Sequence, residues 1–574
     1  MKRGSVTGDT MVRRIAVGIP LLVAMAILVW RAVMLHLFPE EVSTRLPGRV
    51  AQHISKMEIP AIRGEIVDRN GSVLALSTPV VTVGCNPQKF PDSREIRIRL
   101  AKLLGESEGW LNKKLARYSA KKYIPLKRQV APHIKKKIES LNIAGIEFRR
   151  GVRRYYPEGE AMASFLGFTN RQDEGQEGIE LAYNEWLNGS PDIVQVVRDA
   201  SRKPIETLGL IEHGEEGKRL HLSLDRRLQF LAYRSLSKAI TEYDASSGSV
   251  VVLDSDRGEV LAMVSLPSFN PNDPSQRKGG ALRNRAVTDL LEPGSTMKPF
   301  TVAAALDSGV VNLETIIDTS PGRLKIGRKV IREFKNHNYK KIDLKTLVQK
   351  SSNVGSAKLA LMMKPQQLWR VLDLAGIGEL TGSGFPGEGT GVLHDYARWR
   401  KVDRATLSYG YGLNMTPLQL ARAYSAIAED GVIKPVTFLR QRDEEDRGSV
   451  RKVLSAETAQ AVRLMMESVT QNEGTARRAR VKEYRVAGKT GTVDKLVDGR
   501  YYDSDGKALG HTALFAGMAP VDDPKIVVVV VVDDPKGKRY TGGWVSAPVF
   551  SEVMEGALRV MGISPDPENR DEIS

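Results

Sequence analysis

The chain of 574 residues contains one cysteine, Cys85, and eight histidines. A single thiol cannot form an intrachain disulfide, and it excludes zinc sites that are built from several cysteines. The motifs H-E-x-x-H and G-x-S-x-G are both absent, so neither a zinc-protease nor a nucleophile-elbow mechanism has support. No internal repeat and no low-complexity tract occurs. With 41% hydrophobic and 27% charged residues, the composition is that of an ordinary globular protein.

One stretch near the N-terminus is both uncharged and almost entirely apolar. Ile15–Trp30 has no charged residue, and the apolar character resumes after Arg31 as far as Phe38. A bilayer core requires about 20 mostly apolar residues in a helix, so we predict a membrane anchor at 15–38 behind a tail at 1–14. A cleaved signal peptide is the alternative, but no small-residue cleavage site follows. The net charge of +3 in the tail predicts a cytoplasmic N-terminus and an extracytoplasmic remainder.

The formal net charge of +17 is concentrated in two places. Besides the tail, the stretch Lys113–Arg154 has fourteen Lys and Arg against two Glu, a net +12. We interpret it as helical, and a solvated helical face is favoured over a site for anionic lipid, glycan-precursor pyrophosphate or an acidic partner. Nucleic acid is not expected as a partner outside the cytoplasm.

Patterns of strands and turns divide the rest of the chain. Arg63–Ala75 contains an Asn-Gly turn between two apolar runs, which predicts a hairpin. Glu206–Gly217 is rich in Gly and Glu and is interpreted as a linker, and a helix is predicted at Leu224–Tyr243. The domains predicted from these features and from the resemblance described below are an N-terminal α+β pedestal at 39–215, a catalytic domain at 216–562 and a polar tail at 563–574.

The catalytic domain is predicted to be α/β, with a mostly antiparallel five-stranded sheet flanked by helices. Two apolar runs around a Gly-containing turn form a hairpin, and a mostly helical region follows to about residue 475. Three further strands then close the domain. The five predicted strands are Ser249–Leu253, Glu259–Val264, Tyr484–Gly488, His511–Met518 and Ile526–Val532.

Gly488-Lys489-Thr490 has the form of the end of a phosphate-binding loop. That loop requires a glycine five positions before the second one, so that its backbone N–H groups can surround a phosphate. Glu483 occupies the position, and its carboxylate would repel the phosphate. A nucleotide site is therefore rejected.

The pattern Ser-x-x-Lys places a lysine amine one helical turn from a serine hydroxyl, where a neutral amine can accept the hydroxyl proton. It occurs six times, and a surface serine near a surface lysine explains most of them. Ser295 and Lys298 differ from the other five pairs because Pro293-Gly294 interrupts regular structure just before the serine. Pro299 then suits the first turn of the helix that follows. The helix N-terminus favours negative charge on the serine oxygen.

Two further motifs follow in order. Ser351-Ser352-Asn353 offers a second hydroxyl and an amide, and Lys489-Thr490-Gly491-Thr492 offers a lysine and two hydroxyls that can hold a carboxylate. The series S-x-x-K, S-x-N, K-T-G resembles the penicillin-recognising serine acyltransferases. Their β-lactamase members are shorter and have no pedestal domain.

The chain resembles class B penicillin-binding proteins from about residue 15 to residue 560. Within that class, its motif sequences are similar to those of the septal division transpeptidases. The segments that carry it are Arg63–Ala75, Arg153–Pro157, Gly175–Glu180, Arg283–Ala286, Glu292–Phe300, Tyr409–Leu413 and Tyr540–Phe550. Tyr411 and Tyr540 are included among the predicted substrate-binding residues. Where the family has an aromatic pair, this chain has Tyr540-Thr541.

The resemblance implies the roles of the site residues. Ser295 would attack the penultimate D-Ala of a stem peptide and form an acyl-enzyme, with Lys298 as base, Ser351 as proton relay and Asn353 holding Lys298 and the substrate amide. Lys489, Thr490, Gly491 and Thr492 would bind the terminal carboxylate, and the N–H groups of Ser295 and Thr492 would form the oxyanion hole. The amine of a second stem would then take the acyl group, and β-lactams would stop the enzyme at the acyl stage. No cofactor or metal is implied.

The implied location is the inner membrane, crossed once, with the catalytic domain in the periplasm. The implied partners are an FtsW-type glycosyltransferase and other divisome proteins. Three alternatives remain open: an elongation transpeptidase, a condition-specific paralogue, and a non-catalytic β-lactam sensor or division scaffold.

Overall fold

The computed structural model describes residues 7–37, 54–59, 61–198, 204–441, 449–495, 500–505 and 508–566. The helices in chain order are α1 (Thr7–Leu37), α2 (Arg94–Leu104), α3 (Glu108–Arg117), α4 (Pro132–Glu139), α5 (Glu160–Leu166), α6 (Gly178–Ala182), α7 (Asn184–Asn188), α8 (Arg226–Glu242), α9 (Arg285–Thr288), α10 (Lys298–Asp307), α11 (Leu344–Lys350), α12 (Asn353–Met362), α13 (Pro365–Leu374), α14 (Lys401–Leu407), α15 (Pro417–Ala428), α16 (Ala456–Glu467) and α17 (Gly542–Val560).

The strands are β1 (Ile54–Ile59), β2 (Ile66–Val67), β3 (Val73–Cys85), β4 (Ile124–Val130), β5 (Ile146–Tyr155), β6 (Asp192–Arg198), β7 (Pro204–Glu212), β8 (Leu220–His221), β9 (Ser247–Asp254), β10 (Val260–Leu266), β11 (Ile317–Asp318), β12 (Arg323–Ile326), β13 (Lys329–Arg332), β14 (Lys341–Ile342), β15 (Val432–Ile433), β16 (Arg451–Lys452), β17 (Ala487–Asp494), β18 (His511–Ala519) and β19 (Ile526–Asp533). The chain forms two compact units, Met1–Ile62 with Gly189–Glu216, and Arg63–Asn188 with Gly217–Ser574.

The first unit contains α1 and an antiparallel sheet in the order β1-β6-β7. The segment interpreted as a linker, Glu206–Gly217, is mostly strand, since β7 pairs with β6 as far as Glu212. The sequence did not predict this strand because its glycine and glutamates hide the alternation of apolar and polar residues. Large apolar side chains of α1, from Ile19 to Val33, are exposed. Among the residues that the structure describes, no helix has the length and apolarity of a membrane span.

The N-terminal part of the second unit is built on a sheet in the order β4-β3-β2-β8, with β5 also paired to β3. The predicted hairpin in Arg63–Ala75 is confirmed, with β2 and β3 antiparallel around Asn70-Gly71. The prediction that Lys113–Arg154 is helical is wrong for most of this stretch, because only the end of α3 and α4 are helical, whereas β4 and β5 are strands. Lys and Arg favour helices, but the alternately buried Ile124 and Leu126 pack into a small core of their own.

A buried ion network stabilises this region. Glu180 on α6 accepts hydrogen bonds from Arg63 and from Arg154 on β5, each 2.7 Å, and all three side chains are at most 1% exposed. Arg63 donates further to the carbonyl of Asp173 and to Asn184. Because removal of one partner would leave a buried charge unpaired, this network explains why Arg63, Arg154 and Glu180 occur in the segments that carry the family resemblance.

The predicted five-stranded sheet is confirmed, with every pair antiparallel and the order β10-β9-β19-β18-β17. The valine run in β19 is buried on both faces, as its sequence predicts. Helix α8, capped by Asp225, and helix α17 pack on the sheet. One predicted strand is misplaced: it begins at Ala487 rather than Tyr484 and continues to Asp494, so that K-T-G lies inside it. Strand β17 is at the edge of the sheet, beside the helical region that contains the other two motifs.

Of the predicted domain boundaries and segments, 39–53 and the polar tail from 567 onward lie outside the described residues, as does the first part of the tail at 1–6. The boundaries stay predictions.

Candidate active site

The nucleophile turn is held from two sides. Ser295 lies in a 3-10 turn, Gly294–Met297, that leads into α10, with Pro299 in its first turn as predicted. Gly294 has φ +55° and its N–H donates to the carbonyl of Gly410 at 3.1 Å. At Gly410, φ +83°, a Cβ would lie 2.1 Å from the Gly294 carbonyl oxygen. The Y-G-Y-G-L segment therefore needs its glycine because the backbone of the nucleophile turn lies against it.

The strand with K-T-G approaches the same turn from the other side. A Cβ at Gly491 would lie 3.1 Å from the Pro293 carbonyl oxygen and from Thr296 Cγ2. Thr490 and Thr492 are two residues apart and so share a face of β17. Lys489 is completely buried, and its Nζ lies 3.4 Å from Thr490 Oγ1. As an edge strand, β17 leaves one row of backbone N–H and C=O groups for an extended peptide to pair with.

Both lysines of the motifs converge on the hydroxyl of Ser351. Lys298 Nζ lies 2.9 Å from Ser351 Oγ, and Lys489 Nζ donates to the same oxygen at 3.0 Å. Lys298 Nζ also donates to the Ser351 carbonyl at 2.6 Å and to Asn353 Oδ1 at 2.7 Å. Among the described residues, Lys298 Nζ makes its hydrogen bonds to Ser351 and Asn353 and none to Ser295 Oγ.

Burial sets the charge of these lysines. It lowers the pKa of Lys298 to about 7, against the opposing effect of the Glu333 charge. Burial and the nearby Lys298 charge hold the pKa of Lys489 well below its ordinary value. A neutral Lys298 has two N–H groups, which suit the two oxygens that can only accept, the Ser351 carbonyl and Asn353 Oδ1. Its lone pair then faces the Ser351 hydroxyl, so a proton can pass between the two groups.

The S-x-N motif is placed by an unusual backbone and a buried carboxylate. Ser351 joins α11 to α12 in the left-handed region at φ +60°, a conformation that costs energy in a residue other than glycine. Glu333, 2% exposed, accepts hydrogen bonds from the backbone N–H of Asn353 at 2.7 Å, from the N–H of Val354 and from Ser352 Oγ. Sequence reasoning missed Glu333, because a lone glutamate 20 residues before its partner gives no local signal.

The mouth of the site is aromatic. Tyr411 makes edge contacts with Tyr409 and Tyr501, and burial raises its pKa above the ordinary value. Tyr501 donates to Glu292, whose other oxygen accepts the N–H of Gly412. These contacts join the segment after β17 to the loop that holds Gly294.

Tyr540 stacks on the imidazole of His511, with ring centroids 4.0 Å apart and planes at 14°. His511 Nδ1 lies 3.0 Å from Asp494 Oδ1. Where the family pattern has a second aromatic residue after Tyr540, this chain has Thr541, and the second ring of the stack comes from β18. Sequence reasoning missed His511, since nothing in its local sequence distinguishes it.

The structure thus brings Ser295, Lys298, Ser351, Asn353 and the K-T-G strand together around one edge of the sheet. The chain also matches two family descriptions: "Penicillin binding protein transpeptidase domain" over residues 248–555 and "Penicillin-binding Protein dimerisation domain" over residues 58–222. The chain belongs to the penicillin-binding protein transpeptidases.

Curated relatives of this penicillin-binding protein agree. It is 39% identical over 515 residues to "Peptidoglycan D,D-transpeptidase FtsI" of Escherichia coli K12, a match that covers 89% of this chain and 85% of that one. It is also 39% identical over 512 residues to "Probable peptidoglycan D,D-transpeptidase PenA" of Neisseria meningitidis, covering 88% and 86%.

Solved structures show the same fold. A peptidoglycan synthetase from Bifidobacterium adolescentis is similar with a TM-score of 0.70 and 25% identity, over 89% of this chain and 98% of that chain. The transpeptidase domain of penicillin-binding protein 3 from Burkholderia pseudomallei gives 0.54 and 39%, over 60% and 97%. The predicted fold class and family are confirmed.

Proposed function

We propose that this penicillin-binding protein is a serine-type D-Ala-D-Ala transpeptidase that cross-links peptidoglycan stem peptides at the division septum and is acylated by β-lactams. The observation that carries the proposal is the convergence of Lys298 and Lys489 on Ser351 Oγ beside the Ser295 turn. Two buried amines of lowered pKa around one hydroxyl provide the base and proton relay that acyl transfer requires.

The proposed steps use the residues that the fold brings together. Ser295 Oγ attacks the penultimate D-Ala carbonyl of a donor stem, and the proton leaves through Lys298. The oxyanion is held by the N–H groups of Ser295 and Thr492, a contribution of about 3–4 kcal/mol per donor. Lys489, Thr490 and Thr492 hold the terminal carboxylate, while Ser351 passes a proton to the departing amine. Gly491 keeps the strand close enough to the turn for one substrate to contact both.

Labelling with a fluorescent penicillin tests the enzymatic function. We expect the wild-type protein to be labelled and Ser295→Ala to lose the label while its thermal melting is unchanged. Labelled Ser295→Ala protein would contradict the proposal. A scaffold or sensor needs no nucleophile, so complementation of a depletion strain by Ser295→Ala would favour that alternative.

The finer assignments belong to the same proposal. They are a single-pass anchor at 15–38 behind a tail at 1–14, a periplasmic pedestal and catalytic domain, and contact with an FtsW-type glycosyltransferase and other divisome proteins. The apolar segment that begins at Ile15 and the positive tail support the anchor. A fluorescent fusion is expected at mid-cell, and side-wall fluorescence would instead favour an elongation enzyme.

A further inference from the structure

Three tyrosines and two carboxylates line the mouth of the cleft beyond the K-T-G motif. The rings of Tyr411, Tyr501 and Tyr502, here called the tyrosine row, follow one another at centroid distances of 6.2 and 6.5 Å. Tyr501 donates its hydroxyl to Glu292 at 2.8 Å, and Tyr502 donates its own to Asp494 at 2.7 Å. Burial, and then the charges of Asp494 and Glu292, raise the pKa of Tyr411 above its ordinary value. The row is therefore neutral and lies in a negative field.

Both carboxylates are close to the acyl serine along the chain and in space. Glu292 lies three residues before Ser295, and Asp494 lies two residues after Thr492 at the end of β17. The second oxygen of Glu292 accepts the N–H of Gly412 at 2.9 Å, in the segment that packs against the nucleophile turn. A ligand at the mouth can therefore be part of the same molecule that reacts with the serine.

The negative charge of the mouth is not balanced by a basic side chain. Within the described part of the chain, no lysine or arginine lies within ion-pair distance of Asp494 or Glu292. Lys495, the neighbour of Asp494, pairs with Asp533 at 2.6 Å instead. The remaining partner of Asp494 is the imidazole of His511. Each carboxylate oxygen can accept two hydrogen bonds, so both groups can accept further donors.

The donor peptide runs toward this mouth. Its terminal carboxylate is assigned to Lys489 and Thr490, and the carbonyl that Ser295 attacks is assigned to the N–H of Thr492, further along β17. A peptide with these two anchor points runs antiparallel to β17, so its earlier residues continue toward Asp494. With a rise of about 3.4 Å per residue, the residue before the two D-alanines lies within a side chain's length of Asp494. The acceptor amine replaces the departing D-alanine and so lies at the other end of the cleft.

We propose that Glu292 and Asp494, together with the tyrosine row, bind an ammonium group on the side chain of the donor residue that precedes the two D-alanines. The inference rests on the proposed function and names the class of donor: a stem peptide with a diamino acid at that position, whose side-chain amine is free. Aromatic faces attract a cation, and a carboxylate binds it through charge-assisted hydrogen bonds. A neutral side chain gains neither contribution, and an anionic one is repelled.

The test compares three ester donors with lysine, norleucine or 2-aminoadipate before a D-alanyl-D-lactate end. Their side chains are similar in length and end in an ammonium, a methyl group or a carboxylate. Acylation is followed by the release of D-lactate. For the wild-type protein we expect kcat/KM for the lysine donor to exceed that for the norleucine donor about tenfold or more, as for hydrogen bonds to a charged group. The 2-aminoadipate donor should react most slowly.

Two variants remove the charges and keep an acceptor oxygen. In Glu292→Gln and in Asp494→Asn we expect the ratio of kcat/KM between the lysine and norleucine donors to fall several-fold, and in the double variant to approach unity. The 2-aminoadipate donor should gain on the norleucine donor at the same time. Because general damage to the site slows all three donors alike, these ratios report on the recognition of charge.

The matched control is Asp505→Asn, which removes a charge from the segment after β17. Its carboxylate is exposed and accepts from Ser504, and we expect the wild-type ratio. Equal kcat/KM of the wild type for the lysine and norleucine donors, a wild-type ratio in the double variant, or an equal fall in the control would overturn the ammonium site. The first of these outcomes needs no variant to fold. Wild-type protein that neither the donors nor penicillin acylate would instead contradict the proposed function.

Discussion

At the scale of single residues, the site depends on how far burial can alter a lysine. Lys298 could be predicted from the sequence, because a serine, a lysine and a Pro-Gly break occur in the right order. Its neutral state could not, since it depends on complete burial and on the distance to Glu333. The same is true of Lys489, whose three-residue motif is readable while its contact with Ser351 Oγ requires the fold.

The pKa of Lys298, about 7, makes acylation depend on pH. Only the neutral amine has a lone pair, so the acylation rate constant should rise with pH and level off above about 7. Well below that value it should fall about tenfold per pH unit. Stopped-flow measurements with a fluorescent penicillin between about pH 5 and pH 9 check this. A flat profile in protein that stays folded would contradict the role of Lys298.

At the scale of elements, helices and strands with regular patterns follow from the sequence and short irregular contacts do not. Four of the five strands of the catalytic sheet are readable from apolar runs such as that of β19, whereas β17 was placed too early along the chain because its K-T-G segment is not an apolar run. The strands β4 and β5 were missed, since their many Lys and Arg favour helix until pairing with β3 outweighs that preference. The N-terminus of α12 is a third case. Glu333 follows the β12-β13 hairpin and accepts hydrogen bonds from the N–H groups of Asn353 and Val354 in the first turn of this helix.

Glu333 gives the prediction that belongs to this scale. Glu333→Ala leaves the N–H groups of Asn353 and Val354 without their acceptor, so we expect a loss of about 1–3 kcal/mol in the free energy of unfolding. Acylation should slow as well, because Asn353 then no longer fixes Lys298. Denaturant unfolding and penicillin labelling measure the two effects.

The variant Glu333→Gln separates charge from shape. It retains an acceptor oxygen but removes the negative charge that raises the pKa of Lys298. We therefore expect the acid limb of the acylation profile to move to lower pH. The matched control is Glu388→Gln, since Glu388 also accepts from backbone and hydroxyl groups, at Thr381 and Ser383, but at a turn away from the two lysines. A profile of Glu333→Gln identical to wild type would show that Glu333 acts only through shape.

At the scale of the whole molecule, positive charge and chemistry occupy different regions. The basic stretch Lys113–Arg154 lies on a lobe with its own small core around Leu100 and Leu111, whereas the catalytic residues belong to the large core of the sheet domain. The sequence locates the positive charge along the chain, but it does not show which of these side chains are exposed. The structure shows that Lys135 pairs with Glu139 and lies over the Phe148 ring, while Lys136 and Lys137 on the same helix are exposed.

Charge reversal of the exposed pair, Lys136→Glu/Lys137→Glu, tests whether this lobe affects the site. Because exposed charges contribute little to stability and the Debye length is about 8 Å in physiological salt, the penicillin-labelling rate should equal that of wild type. The free energy of unfolding should change by no more than about 0.5 kcal/mol, so the melting temperature should stay close to that of wild type. Complementation of a depletion strain should also be normal if the face is only solvated. Division that fails with charge reversal but not with Lys136→Gln/Lys137→Gln would instead identify an anionic partner of this lobe, because only the reversal repels one.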